Sequence, residues 1–269
     1  MNTIRLIAVL LYKYGKIYQS VNFNHPTQIG NLITKIEHFN SWSVDEIVLL
    51  NVQREKNEIE DFYKIISKIS ERTFVPLTVG GWIENTYDAK NILKSGADKI
   101  IINTQAFLKN YFVMDLVNKF GSQFVVISID TRKINDEYFV VIDRGTKITD
   151  VKAIDWAIKA EHLKVGEIFL NSIEHDGSRK GYDLHLMKLI NNSVKIPVIG
   201  FGGIWEWQHL YDAITKANLE ALAIGNVLHF KEHSVYLAKK FLLEKNVNVR
   251  KPEFFNYNKV RYAEYSDVL

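Results

Sequence analysis

The 269-residue chain contains no cysteine. That absence removes structural disulfides, thiolate catalysis and cysteine-ligated zinc sites together, and it agrees with a cytoplasmic setting. Only 4 prolines are present, and no Ser/Gly-rich or repetitive stretch interrupts the chain, so no internal linker is expected. Neither sign of charge dominates: 34 basic and 31 acidic side chains, interspersed, leave a net +3. A nucleic-acid binder would show a basic stripe, so no nucleic-acid partner is expected. No segment approaches the roughly 20 apolar residues of a membrane span, and no membrane partner is expected. The apolar run at residues 4–11 ends in Tyr12-Lys13-Tyr14-Gly15 without a small-residue cleavage site, and reads as a first strand rather than a signal peptide.

What the chain does contain is a repeat. Pro76-Leu77-Thr78-Val79-Gly80-Gly81-Trp82-Ile83 returns as Pro197-Val198-Ile199-Gly200-Phe201-Gly202-Gly203-Ile204 about 120 residues later. Val44-Asp45-Glu46-Ile47-Val48-Leu49-Leu50 returns as Val165-Gly166-Glu167-Ile168-Phe169-Leu170-Asn171 at nearly the same offset. Two matches at one offset indicate a duplicated half. Each copy joins a β-rich apolar run to an amphipathic stretch, so the unit is βαβα and the whole is expected to be a (β/α)8 barrel. Such barrels use about 250 residues as one domain. Residues 1–250 are therefore expected to form a single barrel, and 251–269 a C-terminal extension. Strands are expected near 4–11, 46–51, 75–79, 99–103, 124–130, 167–172, 197–201 and 221–225.

Barrel enzymes build their sites on the loops that leave the C-terminal ends of the strands. Read in order, those ends carry Leu11, Asn51, Gly80-Gly81, Asn103-Thr104, Asp130, Ser172 to Asp176-Gly177, Gly202-Gly203 and Gly225-Asn226. All but the first are small or polar. Lacking Cβ atoms, the glycine pairs let backbone N–H groups approach a phosphate, and the following helix N-terminus favours negative charge. A tight βα turn also asks for glycine. Two pairs related by the duplication, after strands 3 and 7, suit an elongated substrate with a phosphate at each end. The candidate substrate-binding residues are Gly81, Asn103, Thr104, Asp176, Gly177, Gly202, Gly203 and Gly225.

The stretches Val21-Asn22-Phe23, Pro76-Leu77-Thr78-Val79-Gly80-Gly81, Gly96-Ala97-Asp98-Lys99, Phe120-Gly121-Ser122-Gln123, Asp176-Gly177 with Gly181-Tyr182-Asp183, and His229-Phe230 carry a resemblance. From Arg5 to about Arg250 the chain resembles the cyclase subunit of imidazole glycerol phosphate synthase, HisF. In that family the subunit pairs with a glutaminase (HisH), receives ammonia through the barrel and joins it to a bis-phosphorylated ribulosyl substrate. The products of this lyase-type step of histidine biosynthesis are imidazole glycerol phosphate and an aminoimidazole carboxamide ribotide. The resemblance implies that Arg5, Glu46, Lys99 and Glu167 form a salt-bridged ammonia gate at the barrel bottom. Four inward charges there are costly to bury unless mutually paired. It further implies that Asp98 and Gln123 face the glutaminase, and that Asp130 is one of two catalytic aspartates, an acid/base pair.

The other aspartate is missing: its place at the end of strand 1 is held by Leu11, which cannot transfer a proton. The lysine expected in the loop after strand 1 is Gln19, the acid expected after strand 2 is Asn51, and the third glycine of the first phosphate loop is Trp82. A small serine position is Phe201, and the last strand ends Ile224-Gly225-Asn226 with one residue inserted. These departures gather on the substrate face and spare the gate. The expected function is that of a divergent paralogue, a subunit of a heterodimeric glutamine amidotransferase complex that passes ammonia on while its own cyclase chemistry is weak or absent. Such paralogues are associated with bacterial surface-polysaccharide (lipopolysaccharide) loci, where an ATP-dependent amidotransferase converts an acetamido sugar to an acetamidino sugar. The implied partners are the glutaminase, that sugar amidotransferase and a small phosphorylated substrate. The second reading is the authentic histidine-pathway cyclase; the pathway's related isomerase is disfavoured because it also needs a strand 1 aspartate. No cofactor is expected. Nor is a metal, since His229 and His233, four apart, lack a third ligand. Trp205 and Trp207 follow the second glycine pair, either as core or rim packing or as a surface on which a ligand stacks, and the aromatic extension with Phe254, Phe255, Tyr257, Tyr262 and Tyr265 either docks a partner or lies along its own barrel.

Overall fold

Side chains alternate across a strand, so each apolar run of this chain sends one set of residues inward and the other toward the helices. A computed structural model describes residues 2–56 and 59–253, the side chains of His25 and Pro26 excepted. The aromatic residues of the extension lie outside the described residues. Strand β1 (Arg5–Lys13) is followed by β2 (Lys16–Val21), β3 (Asn24–Asn31) and helix α1 (Leu32–Ser41). Next come β4 (Glu46–Asn51), α2 (Ile59–Ser70), β5 (Leu77–Gly80), α3 (Thr86–Lys94), β6 (Lys99–Ile102), α4 (Thr104–Leu108) and α5 (Asn110–Phe120). The second half repeats the plan with β7 (Val125–Ile134), β8 (Glu137–Ile142), β9 (Lys147–Lys152), α6 (Ala153–His162), β10 (Glu167–Ser172) and α7 (Leu184–Asn191). It ends in β11 (Val198–Phe201), α8 (Trp207–Ala217), β12 (Ala221–Ile224) and α9 (Ser234–Glu244).

Strands β1, β4, β5, β6, β7, β10, β11 and β12 are parallel neighbours in that order, and β12 pairs back onto β1 with Arg5 opposite Ala221. The structure is thus the expected closed (β/α)8 barrel. Four expected strands begin later than the sequence suggests, at Arg5, Leu77, Val125 and Val198; ahead of Leu77 and Val198, Pro76 and Pro197 have no N–H to give the ladder. β1 and β7 run further than expected, to Lys13 and Ile134, because each continues into an antiparallel excursion, β2–β3 and β8–β9. None of these four strands is among those expected, although β8 is itself an apolar run buried at Tyr138, Val140, Val141 and Ile142. Each half therefore carries one such excursion after its first barrel strand.

Two apolar cores result. Ile7, Val9, Val48, Ile101, Val126 and Phe169 belong to the set that fills the barrel, while Leu6, Ala8, Leu10 and their counterparts pack beneath the helices. The helices are capped locally: the side chains of Asn31, Asn85 and Asp183 accept backbone N–H groups at the starts of α1, α3 and α7. Below the barrel, the fully buried Lys239 ammonium lies 2.5 Å from Asp45, which also accepts from Leu6 N (2.9 Å) and Arg250 Nε (2.8 Å). Arg250 further donates to the carbonyls of Ser43 and Val44, and Val249 bridges to Ile4. The segment after α9 is thereby tied to the lower rim as far as Glu253, whose backbone bonds the Ser43 hydroxyl. Among the described residues no helix is long and apolar enough to cross a membrane.

Candidate functional site

The inward register that starts at Arg5 on β1, Glu46 on β4, Lys99 on β6 and Glu167 on β10 brings four charges to one level at the bottom of the barrel. They form a closed ring. Arg5 reaches Glu46 at 3.0 Å and Glu167 at 2.7 Å, while Lys99 lies 3.1 Å from each of the same two carboxylates. Thr78, from β5, donates to Glu46 at 2.6 Å. Each cation thus meets both anions, which is how such charges are made tolerable in a poorly solvated place. Asp98 and Gln123 stand exposed on the same lower face, beside the starts of β6 and β7, and the Asp98 carboxylate also accepts from Leu77 N at 2.8 Å. Thr78 was not singled out from sequence, although it stands inside the repeated motif.

At the opposite end, Leu11 packs on the apolar filling that includes Phe201, and its neighbours in register are Leu50 and Tyr18. Phe201 faces Phe169 with ring centroids 5.2 Å apart and closes against Gly225. Asp130 is the inward carboxylate at this level. It accepts from Asn103 Nδ2 at 3.0 Å and Ser128 Oγ at 3.2 Å, and Asn171 also bonds it. Burial pushes its carboxyl up to about 7; the hydrogen bonds from Ser128 and Asn171 oppose this and the Asp176 charge adds to it. Sequence alone did not single out Ser128 or Asn171, though Ser128 is two residues from Asp130 and so must share its face.

That pKa sets a pH dependence. The folded value lies above the ordinary 3.8, so the unfolded chain releases the proton first and stability falls as pH rises from about 4 to about 7, then levels off. Asp130→Asn is therefore expected to gain relative stability with pH, by on the order of 3 kcal/mol between pH 4.5 and pH 8. Urea unfolding at the two pH values measures it. An equal effect at both would mean that the carboxyl titrates normally.

The candidate substrate-binding residues divide into two groups. Around the first glycine pair, Thr104 Oγ1 accepts from Asp143 N at 2.9 Å, and Asn103 is committed to Asp130 and the backbone. Gly81 has φ +101°, and a Cβ there would collide with the Asn51 carbonyl. Trp82 follows in the left-handed region at φ +61°, with the Arg144 guanidinium 4.0 Å from its ring centre. Around the second pair a cleft of about 50 Å³ opens, lined among others by Gly202, Gly203, Gly225, Asp176, Gly177 and Arg179. Gly203, at φ +89°, presses on the Gly181 carbonyl. Both pairs thus meet a packing demand, whatever they bind. Asp176 is buried, accepting from Ser20 Oγ at 2.5 Å and Phe23 N at 3.3 Å, and so holds the β2–β3 turn over the barrel. Trp205 lines the cleft with Phe230, while Trp207 lies under Lys231. Among the described residues no group of three His, Asp or Glu side chains could hold a metal. His229 instead faces Phe39, and burial lowers its imidazole to about 3.

The sequence profile described as "Histidine biosynthesis protein" matches residues 5–234. A Chlorobium phaeovibrioides protein named imidazole glycerol phosphate synthase subunit HisF is 35% identical over 246 residues, covering 91% of this chain and 98% of its own. The HisF subunit of Prosthecochloris aestuarii shows the same identity and coverage. A Vibrio vulnificus protein, provisionally named imidazole glycerol phosphate synthase subunit hisF2, is 37% identical over 265 residues, covering 98% of this chain and 96% of its own. The last alignment necessarily runs into residues 254–269, whereas the HisF relatives are shorter by about the length of the extension.

Proposed function

The chain belongs to the histidine biosynthesis protein family, and from that membership we propose that it is the HisF-like subunit of a glutamine-dependent amidotransferase complex, receiving ammonia from a glutaminase. The carrying observation is the contrast between the two ends of the barrel: the four-charge ring is complete below, while above it the end of β1 offers Asp130 the apolar Leu11 in place of a carboxylate. In this reading the HisH-like glutaminase docks on the lower face over Asp98 and Gln123. Ammonia passes the ring and enters the interior lined by Ile7, Val9, Val48 and Ile101. An apolar passage suits neutral ammonia and rejects ammonium, because an unpaired charge there would be strongly penalised. Asp130, with its raised pKa, meets the ammonia at the top as the remaining proton-transfer group.

The acceptor proposed is the acetamido group of a surface-polysaccharide sugar, activated by an ATP-dependent amidotransferase, within a cytoplasmic complex. The reach of the Vibrio alignment into the extension supports a paralogue distinct from the shorter HisF subunits. The second reading, the authentic cyclase making imidazole glycerol phosphate, is favoured by the even identity to those subunits across nearly their whole length.

The test is co-expression with candidate glutaminases. A stable complex is expected. The chain has no native cysteine, so Gln123→Cys supplies a unique cross-linking point, and the glutaminase should couple to it. Cross-linking only from an upper-face variant such as Arg179→Cys, or repeated failure to copurify any glutaminase, would remove the proposal.

A further inference from the structure

We infer that Trp82 and Arg144 leave the upper face able to engage one anionic end of a ligand, that of a hydroxyl-bearing monophosphate, and deny a second anionic end its contacts. The inference rests on reading the upper face as the place where ammonia meets its acceptor. The two glycine-pair loops are related by the duplication, yet among the described residues the cleft lies over the second. Over the first, the β8–β9 turn folds down: Asp143 N bonds Thr104, Arg144 stacks on Trp82, and Gly145 lies so close to Phe23 that a Cβ there would stand 2.7 Å from its ring. Trp82 Nε1 is buried without a hydrogen-bond partner. The chain's own arginine and indole therefore fill the space over that loop. Trp82 holds a left-handed backbone conformation that glycine adopts without strain.

Over the second loop the corresponding cation stands beside the cleft rather than in it. Arg179 lies 3.8 Å from the Trp205 ring centre, its guanidinium fixed on an aromatic face at the edge of the Gly202-Gly203-Gly225 cleft. A guanidinium held this way presents its N–H groups to a phosphate at little further ordering cost. A second, independent feature identifies the group that the ligand carries next to its anion. Asn171 is 2% exposed, and its Oδ1 has no hydrogen-bond partner although the same amide bonds Asp130. Gly202, lacking a Cβ, leaves that oxygen facing the phosphate loop, 3.1 Å from where the Cβ would be. An unpaired buried acceptor between an anion pocket and a carboxyl group calls for a donor, which a ligand hydroxyl supplies.

Isothermal titration of the full chain tests this with three probes: inorganic phosphate, ribose 5-phosphate and ribulose 1,5-bisphosphate. Ribose 5-phosphate should bind one to one and at least about fivefold more tightly than inorganic phosphate, with the bisphosphate within about threefold of it. Arg179→Ala should weaken both sugar phosphates about tenfold with unchanged circular dichroism. Trp82→Gly with Arg144→Ala should tighten the bisphosphate about tenfold and leave the monophosphate alone. The single change Arg144→Ala, at an exposed side chain, keeps the comparison available if the double variant fails to fold. Tenfold tighter bisphosphate binding by the unaltered chain, equal binding of phosphate and ribose 5-phosphate, or indifference to Arg179→Ala would each overturn the inference. These titrations use the barrel alone, so their failure leaves glutaminase pairing untouched, and failed copurification leaves them untouched.

Discussion

Given ammonium and the bis-phosphorylated ribulosyl substrate of imidazole glycerol phosphate synthase, the purified chain is expected to turn over about 10²–10⁴-fold more slowly than a cyclase with two aspartates. The loss of one positioned proton-transfer group is worth that factor, and Leu11 removes it at the end of β1. Leu11→Asp alone is expected to recover little. The new carboxylate would enter the same apolar packing as Phe201, and Trp82 would still lie beneath Arg144 over the first glycine pair. Leu11→Asp, Trp82→Gly and Phe201→Ser together should outperform each single change. Ordinary turnover by the unaltered chain, or rescue of a histidine auxotroph lacking the cyclase, would instead establish the authentic enzyme.

Glu46→Gln is expected to destabilise the barrel by about 3–5 kcal/mol, nearer the lower figure because water reaches its partners. Glu46 is 2% exposed by side chain, against 30% for Arg5 and 17% for Lys99. Neutralising it leaves those two cations sharing Glu167 alone. Adding Lys99→Met should return part of the loss, since the ring is then balanced again with one cation and one anion, and chemical denaturation of the unaltered chain, the two single variants and the double variant gives the coupling. With a glutaminase bound, the fraction of hydrolysed glutamine whose ammonia reaches an acceptor should fall as well. If neither stability nor that fraction moves, the four residues are solvated surface charges.

The barrel was legible because its signal is redundant: a repeated motif, apolar runs at matching intervals and small polar ends each indicate the same strands. The excursions β2–β3 and β8–β9 were not. Most residues of β2, β3 and β9, such as Gln19, Thr27, Lys147 and Asp150, are polar and partly exposed, and a strand held mainly by backbone pairing leaves little trace in hydrophobic pattern; β8 is an apolar run, but it falls between two barrel strands where the repeat calls for a helix. The lower ring could be anticipated from its four charges at inward positions. Its fifth member, Thr78, is chemically ordinary until Glu46 is seen beside it. On the upper face the substitution at Trp82 was visible, but its consequence depends on Arg144, 62 positions away on a hairpin outside the expected barrel strands. The glycine pairs carry the converse lesson. Gly81 and Gly203 are demanded by neighbouring carbonyls, so their presence alone says less about phosphate than their spacing suggested.

The ring at the barrel foot also bears on how the chain comes to be folded. Its charges are shared unequally between the duplicated halves: the first brings Arg5, Glu46 and Lys99, the second only Glu167. A nascent first half emerging from the ribosome therefore holds two cations around one carboxylate, and its β1 edge waits for β12, which is made last. The charge ring therefore closes only when Glu167 of the second half joins the three charges of the first.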